Sequence, residues 1–303
     1  KKNKFLFCIG LLLTVATIVN AQSVTWISST EGNVWQKSKV KLQSKSEQNP
    51  VLQVDGTENG VAFKNWGTTF NELCWDALGL LTRTEQDEIL YNIFSPQGDL
   101  RITRGRISMG ANDYARSWYS CDEVEGDFEL RYFNINRDKQ TIIPFIRAAQ
   151  KYNPNLTFWI SPWCPPSWMK INGDYPVLSS PFNSLSEKQN YLLYGATGGQ
   201  VDENEMKLTD ARDGVFPRQL ATTDFMIQDP RYLQTYADYF CRFIDAYKEQ
   251  GIPIDMVMYQ NEAYSYTPYP GCAWTAAGTI RFNKEYLAPT LKQMHPEVKL
   301  YLG

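Results

Sequence analysis

The sequence predicts an α/β fold built on a parallel β-sheet, and three observations support this prediction. From residue 61 onward, short apolar runs with strand character alternate with stretches of helical periodicity. The run at 252–259 is apolar almost throughout, as expected of a strand covered on both faces. No GxGxxG or GxxxxGK[ST] motif occurs, which argues against nucleotide-binding folds. An open doubly wound sheet and a closed (β/α)8 barrel both fit this pattern.

Residues 22–60 precede the alternating pattern and predict a small β element that forms part of a β-sandwich. They hold the β-forming runs VTWI at 24–27, VKL at 40–42 and VLQV at 51–54, separated by polar turns. We therefore divide the chain into this element and an α/β domain at 61–303.

The first half of the α/β domain contains three predicted strands. They lie in WGTTFNE at 66–72, RGRISM at 104–109 and LTFWI at 156–160. A helix is predicted to begin after Thr82, because Glu85 lies three residues later at capping-box spacing.

Two further helices have clear boundary signals. One begins near Ile142, with Pro144 tolerated in its first turn. The other is capped by Asp229, has Pro230 at its first position and ends at Gly251. Both helices precede predicted strands, as a βα repeat requires.

The end of the chain adds the apolar strand at 252–259, a helix at about 276–294 interrupted by Pro289, and a strand in VKLYL at 298–302. This gives about five strands, whereas a closed barrel of this type needs eight. We therefore expect a (β/α)8 barrel to be truncated on its C-terminal side. The polar stretch at 171–228 is either a long loop over the C-terminal face of the sheet or a disordered insertion.

The N-terminus has the pattern of a secretory signal peptide over residues 1–21. Three lysines precede an apolar run at 5–19, and small residues around Ala21 suit cleavage before Gln22. A transmembrane anchor is the alternative, but the run is shorter than a membrane span requires. We expect a protein that is secreted, periplasmic or exposed on the cell surface, without a transmembrane anchor.

Charge and cysteine content exclude several classes of protein. Removing residues 1–21 changes the formal charge from −3 to −6, which argues against nucleic acid and anionic membranes as partners. The five remaining cysteines are odd in number and scattered, so they predict neither a disulfide framework nor a CxxC metal site. The single histidine, His295, makes a histidine-based triad or metal site improbable, and no cofactor is expected.

The most informative stretch is MVMYQNEAY at 256–264, where a buried strand ends on Gln260, Asn261 and Glu262. Polar side chains at the C-terminal end of a barrel strand lie where active sites are built. A catalytic carboxylate at Glu262 would explain this pattern. A loop acid paired with an arginine would explain it as well.

Several ordered motifs resemble glycoside hydrolase family 30, and the resemblance covers most of residues 61–303. SPWCPPSWMKING at 161–173 is close to the SPWSPPxWMKtNG segment of the family. RISMGANDY at 106–114 and WGTTFNE at 66–72 resemble its second and first strands, and DFEL at 127–130 resembles the stretch that follows. The QNE triplet at 260–262 stands where the family has NEP, with Ala263 replacing the proline.

The resemblance implies a (β/α)8 barrel and assigns roles to five residues. Glu262 would be the catalytic acid/base, and Asn261 would bind the sugar 2-hydroxyl. Glu72 and Trp163 would hold the sugar, and Arg106 would orient the catalytic carboxylates. Partial burial of Glu262 beside a second carboxylate would favour its protonated form.

Each assignment has a structural alternative. Asn261 could cap the turn after its strand, Glu72 could be an acid at a helix start, and Trp163 could be a core residue. Arg106 could form a plain salt bridge. The aromatic residues that follow Glu262, among them Tyr264, could line the sugar cleft or simply pack.

In the family, the nucleophile follows the seventh strand, and no residue here matches it. We therefore expect the nucleophile to lie outside this chain. The sequence as a whole predicts a secreted retaining β-glycoside hydrolase of the β-1,6-glucanase or glucosylceramidase type, acting on a β-linked glucan or glucoside. The alternatives are a non-catalytic carbohydrate-binding protein on the same barrel and, less well supported, an esterase.

Overall fold

The computed structural model describes residues 23–41, 60, 65–185, 224–263 and 266–302 of the 303-residue chain. Five sequence predictions lie wholly or partly outside these ranges: the leader at 1–21, the end of the run at 40–42, the run at 51–54, most of the interruption at 171–228, and Tyr264. The chain divides into two compact units, residues 1–62 and residues 63–303.

The described part of the first unit is a β-hairpin. Strands β1 (Ser23–Thr30) and β2 (Asn33–Lys41) pair antiparallel through a two-residue connection. Gly32 in that connection has φ 78°, a conformation that glycine adopts without steric cost. The small N-terminal β element predicted from the sequence is confirmed to this extent.

The second unit contains a five-stranded sheet in which all neighbouring strands are parallel. Its strands are β3 (Gly67–Phe70), β4 (Arg104–Ser108), β5 (Thr157–Ser161), β6 (Ile254–Met258) and β7 (Lys299–Tyr301). The strands lie side by side in chain order, β3-β4-β5-β6-β7. A doubly wound sheet reverses its strand order, whereas a (β/α)8 barrel does not. The sequential order therefore confirms the barrel-type α/β fold.

Helices connect these strands. They are α1 (Glu72–Gly79), α2 (Arg83–Phe94), α3 (Ile142–Gln150), α4 (Pro230–Glu249), α5 (Ala276–Arg281) and α6 (Ala288–Met294). Short 3-10 turns occur at Asp138–Gln140 and Ser167–Met169, and a π-helical segment at Phe282–Leu287 joins α5 to α6.

The predicted helix boundaries are confirmed where capping chemistry marked them. Thr82 and Glu85 form a reciprocal capping box at the start of α2. Asp229 accepts a hydrogen bond from the Arg231 amide at 2.8 Å at the start of α4. Gly251 follows the end of α4 with φ 72°, as expected of a helix-terminating glycine.

Two helical features differ from the expectation. Helix α1 was not predicted; Asn71 caps it by accepting from the Cys74 amide at 2.9 Å. The last helix was expected to be interrupted at Pro289, and the irregular π-helical segment lies before that residue. Pro289 lies in the first turn of α6, where a residue without an N–H is tolerated, so regular α-helix resumes around it.

The two faces of the sheet have different roles. Phe70, Ile107, Phe158, Ile160 and Val257 are fully buried on one face and belong to the hydrophobic core against the helices. On the other face, the register aligns Thr69 with Arg106, and Arg106 with Trp159. Because side chains alternate along a strand, these residues share the interior face, where the Arg106 guanidinium lies over the Trp159 ring.

Candidate active site

A cavity of about 260 Å³ opens at the C-terminal edge of the sheet. Residues that end or directly follow β3, β4, β5 and β6 contribute to its wall, as expected for the active-site end of a barrel. It is lined by Thr69, Asn71, Arg106, Asn112, Asp113, Tyr114, Trp163, Asn261, Glu262 and Tyr269. Four of the predicted site residues, Arg106, Trp163, Asn261 and Glu262, are therefore brought together.

Arg106 is the cation at the centre of this cavity. Its guanidinium donates to the Ser161 hydroxyl at 2.9 and 2.7 Å and to Asn261 Oδ1 at 2.6 Å. It also lies 4.2 Å from the ring centre of Trp163. Desolvation lowers the pKa of Arg106 to about 10, and the charges of Asp113 and Glu262 oppose this shift. Arg106 thus links three strand ends and faces two carboxylates.

The loop after β6 is fixed to the loop after β5 by a set of hydrogen bonds. The buried Gln260 side chain donates to the Trp163 carbonyl at 2.7 Å and accepts from Trp274 Nε1 at 3.2 Å. The Asn261 amide donates to the Pro162 carbonyl at 2.7 Å. These contacts hold Trp163 and Asn261 beside each other in the cavity wall.

Trp163 combines two roles that the sequence left open. Its side chain is 7% exposed, as in a core residue, yet it lines the cavity. It also hydrogen-bonds the Asp113 carboxylate. Its ring is therefore held in place on the cavity wall.

Glu262 lies in the cavity wall. We expected its side chain to be partly buried, and this expectation is wrong. The side chain is exposed, and the residue has a left-handed backbone conformation with φ 50°. This conformation is unfavourable for a residue with a Cβ atom and is most often found at functional or tightly turned positions. The carboxylate is therefore accessible from solvent, with Arg106 and Asp113 within electrostatic range.

Asp113 is a site residue that the sequence reasoning missed. Desolvation against the cavity wall raises its pKa, and the nearby Glu262 carboxylate adds to this shift. Arg106 and a hydrogen bond from Trp163 act in the opposite direction. The signal was present, because Asp113 follows the end of β4 much as Glu262 follows the end of β6.

Glu72 does not line the cavity. Its carboxylate is 1% exposed and accepts from Arg137 at 2.8 and 2.6 Å and from the Arg116 amide at 2.8 Å. Burial alone would raise its pKa, but Arg137 and the Arg116 amide together lower it. The carboxylate is paired with the Arg137 guanidinium at the start of α1 and lies outside the cavity lining. Its neighbour Asn71 lines the cavity instead.

The aromatic residues after Glu262 divide between the two predicted roles. Tyr269 lines the cavity, and desolvation raises the pKa of its hydroxyl, with contributions from Glu262 and Asp113. Tyr266 and Trp274 are buried in the core. Tyr264 lies outside the described residues.

Lys170 joins the loops that follow β5 and β6. Its side chain is 2% exposed, and its ammonium donates to the carbonyls of Tyr175, Pro176 and Gly271 at 2.7, 3.1 and 2.8 Å. A buried ammonium with three acceptors is fully hydrogen-bonded, which offsets the cost of its burial. Lys170 thereby ties the loop after β5 to the loop after β6.

Three further features concern the part of the chain that the structure describes. No group of three or more metal-ligating side chains is placed to hold an ion. Cys74, Cys121, Cys164, Cys241 and Cys272 are free thiols. None of the helices combines the length and apolarity required to cross a bilayer.

Comparison with known protein families gives a match for part of the unit that carries the cavity. Residues 63–180 match the family model described as glycosyl hydrolase family 30 TIM-barrel domain. This segment includes Arg106, Asp113 and Trp163. The match agrees with the resemblance found in the sequence motifs.

Curated relatives extend the similarity over most of the chain. "Putative glucosylceramidase 3" of Caenorhabditis elegans is 28% identical over 294 residues, covering 92% of this chain and 47% of the relative. Endo-1,6-beta-D-glucanase neg1 of Aspergillus fumigatus is 25% identical over 252 residues, covering 81% of this chain and 45% of the relative. The chain therefore spans about half the length of these relatives.

Solved structures share the fold. SrfJ from Salmonella typhimurium superimposes with a TM-score of 0.62 at 18% identity, over 91% of this chain and 52% of that structure. The endo-beta1,6-glucanase BT3312 superimposes with a TM-score of 0.56 at 23% identity, over 78% of this chain and 43% of that structure. At these identities the likeness concerns the fold.

Proposed function

We propose that this chain, whose residues 63–180 match the glycosyl hydrolase family 30 TIM-barrel domain, belongs to that family and is a secreted, retaining β-glycoside hydrolase that cleaves β-glucosidic linkages. Its substrate would be a β-1,6-linked glucan or a glucosylceramide-like glucoside. The relatives named above, glucosylceramidases and endo-1,6-glucanases, support this substrate class. The observation that carries the proposal is the position of Glu262, in one cavity with Arg106, Asp113, Trp163 and Asn261.

Glu262 is the proposed acid/base. In the first step it would donate a proton to the departing glycosidic oxygen, and in the second it would take a proton from the attacking water. In the unliganded cavity Glu262 is exposed. A bound sugar would cover the carboxylate and displace water from it, which favours the protonated form that the first step requires.

Asn261 and Arg106 would orient the substrate and the acid. Arg106 donates to Asn261 Oδ1 at 2.6 Å, so the amide group of Asn261 is oriented with its N–H donors available for a sugar 2-hydroxyl. A hydrogen bond to that hydroxyl strengthens in the oxocarbenium-like transition state. Trp163 would form the floor on which the sugar ring packs.

Asp113 is the second carboxylate in the cavity, and we assign it to binding sugar hydroxyls. Its hydrogen bond from Trp163 and its attraction to Arg106 hold it in the wall as an acceptor. The nucleophile is proposed to come from a strand that is not among the described residues. In a retaining enzyme, that carboxyl group would stand about 5 to 5.5 Å from Glu262.

The test uses the full-length protein and substrates with good and poor leaving groups. We expect Glu262→Gln to lose about 100- to 10,000-fold in kcat/KM on an unactivated β-glucoside, since general acid catalysis contributes about this much. An aryl glucoside with a good leaving group needs little protonation, so its first step should survive. Added azide should then restore turnover and give the β-glucosyl azide.

A control variant and two contradicting outcomes complete this experiment. Asp113→Asn, a carboxylate change in the same cavity, should raise KM and should not respond to azide. Near wild-type hydrolysis by Glu262→Gln would remove Glu262 from its role. Glucan binding without hydrolysis by the wild-type protein would instead indicate a carbohydrate-binding protein on the same barrel.

Substrate and export are tested separately. Assays against β-1,6-glucan, β-1,3-glucan and glucosylceramide distinguish the two substrate classes. Export is supported by the signal-like pattern of residues 1–21. N-terminal sequencing of the protein recovered outside the cell should begin at Gln22; a mature chain that retains residues 1–21 would contradict cleavage there.

A further inference from the structure

Two aspartates are buried side by side in the loop that follows β4. Asp122 is 2% exposed and Asp127 is 4% exposed. One oxygen of each carboxyl group is hydrogen-bonded locally. Asp122 Oδ1 accepts from the Val124 amide at 3.1 Å, and Asp127 Oδ2 accepts from the Tyr132 amide at 2.8 Å.

The other two oxygens, Asp122 Oδ2 and Asp127 Oδ1, are buried and receive no hydrogen bond from a conventional donor in the described ranges. The two carboxyl groups lie within electrostatic range of each other, and Asp127 Oδ1 also lies 3.7 Å from Nε of the exposed Arg131. Two ionised carboxylates are both acceptors and would repel each other. A single proton between them satisfies both oxygens and removes one buried charge.

The loop that contains this pair supports the cavity wall. The Asp122 carbonyl accepts from Trp168 Nε1 at 3.1 Å. The adjacent Glu123 carboxylate accepts from the Ser167 amide and hydroxyl at 3.0 and 2.6 Å and from the Tyr175 hydroxyl at 2.6 Å. Ser167 and Trp168 belong to the same segment as Trp163, which lines the cavity. The aspartate pair therefore lies in the loop to which the loop after β5 is hydrogen-bonded.

We infer that Asp122 and Asp127 share one proton and form a pH-sensitive clamp, which holds the loop after β5 in place when protonated and loosens it when the pair loses that proton. The clamp goes beyond the proposed hydrolase activity and does not depend on it. It concerns the conformation of the chain, which can be measured without a substrate.

The surroundings of the pair favour a single shared charge. Burial raises the pKa of Asp122 to about 6, and the charges of Asp127 and Glu123 contribute to this shift. Burial alone would raise the pKa of Asp127 too, but the Tyr132 amide, Asp122 and Arg131 together lower it. Other charged or titratable groups around this loop are Glu129 on the loop, Lys170 and Tyr175 on the following segment, and Arg231, Asp238 and Arg242 on α4.

The direction of the effect follows from linkage. An aspartate whose pKa is higher in the folded protein than in the unfolded chain binds its proton more tightly when folded. Its contribution to stability is complete below the unfolded pKa and decreases as the pH rises toward and beyond about 6. The clamp should be closed in mildly acidic solution and should open at neutral and alkaline pH.

Hydrogen–deuterium exchange on the full-length protein tests the clamp. Peptides covering residues 121–134 and 165–176 should be on the order of tenfold less protected at about pH 8 than at about pH 5, after correction for intrinsic exchange. Asp122→Asn keeps the size of the side chain and supplies a permanent N–H donor to Asp127. In that variant, protection of these peptides should not depend on pH.

Glu125→Gln is the matched control, because Glu125 is an exposed acid on the same loop. It should show the wild-type pH dependence. Protection that is equal at both pH values in the wild type would overturn the proposal, and so would an unchanged pH dependence in Asp122→Asn. If Asp122→Asn does not fold, Asp127→Asn removes the same ionisation and is judged by the same criterion.

Discussion

At the scale of single residues, Glu262 combines a chemical role with an unfavourable backbone. Its φ of 50° places a Cβ atom in the left-handed region, which costs about 1–2 kcal/mol. The surrounding hydrogen bonds of Gln260, Asn261 and Trp274 hold the loop in this conformation. The protein thus keeps a strained residue where a relaxed one would be more stable, which is typical of a position selected for activity.

This strain can be measured. Glu262→Gly should raise the free energy of unfolding by about 1 kcal/mol, because glycine adopts the left-handed conformation without steric cost. Glu262→Gln removes the same charge but keeps the Cβ atom, so it should leave stability within about 0.5 kcal/mol of the wild type. Urea denaturation of both variants provides the comparison. Equal stability of the two variants would show that the backbone at 262 is unstrained.

A site residue could be predicted from the sequence where a motif contained it and no distant residue of opposite charge in the described ranges forms an ion pair with its side chain. Glu262, Asn261 and Trp163 follow predicted strands and Arg106 lies within one, and all four line one cavity. Glu72 also follows a strand, but its partner Arg137 lies 65 positions further along the chain. No sequence pattern indicates that a distant cation will occupy this carboxylate.

At the scale of secondary-structure elements, capping residues in the sequence predicted most helix boundaries, but they did not reveal helix α1. The capping box at Thr82 and the cap at Asp229 depend only on nearby residues, so the sequence specifies them directly. Helix α1 is short and begins within the motif that was predicted as the end of a strand. Its Asn71 cap is a single polar residue without a capping-box partner, and such a signal is easily overlooked.

Strand β4 depends on a glycine for its packing against its neighbours. A Cβ atom at Gly105 would lie 2.5 Å from Phe70 Cε2 and 2.9 Å from Phe158 Cδ1, and both rings are fully buried. Gly105→Ala should therefore lower the free energy of unfolding by about 1–3 kcal/mol, the usual cost of overpacking a core.

The matched control is the same substitution at Gly79, where an added Cβ meets no atom within 4 Å. Gly79→Ala at the end of α1 should be neutral or slightly stabilising, because alanine favours helix more than glycine does. Thermal or urea unfolding of both variants tests the contrast. A neutral Gly105→Ala would mean that the two rings move apart without cost.

At the scale of the whole molecule, buried acids couple the folded structure to pH. Asp138 is fully buried beneath α3 and α4 and accepts from the Tyr119 and Tyr247 hydroxyls at 2.7 and 2.6 Å. Burial raises its pKa to about 6, and the two hydroxyls oppose this shift only in part. The folded protein therefore binds this proton more tightly than the unfolded chain does, for which a pKa of about 3.9 is usual.

The sign of the effect is then fixed. The stability contributed by Asp138 is complete below about pH 4 and is lost as the pH rises through about 6, at a cost on the order of 2 kcal/mol. Asp138→Asn should remove this part of the pH dependence. Urea unfolding of both proteins at about pH 4, 5, 6 and 7 measures it. Asp99→Asn, which changes an exposed acid, should reproduce the wild-type curve; a parallel curve for Asp138→Asn would contradict the assignment.

The contacts of Lys170 have a practical consequence for the molecule. Disulfide bonds can fasten the loops of a protein, but the five described cysteines here are free thiols. The ammonium of Lys170 donates to three carbonyl groups and so joins the loops after β5 and β6 by hydrogen bonds. Thiol reductants do not break these hydrogen bonds, so the two loops should keep the same arrangement in oxidising and reducing solution.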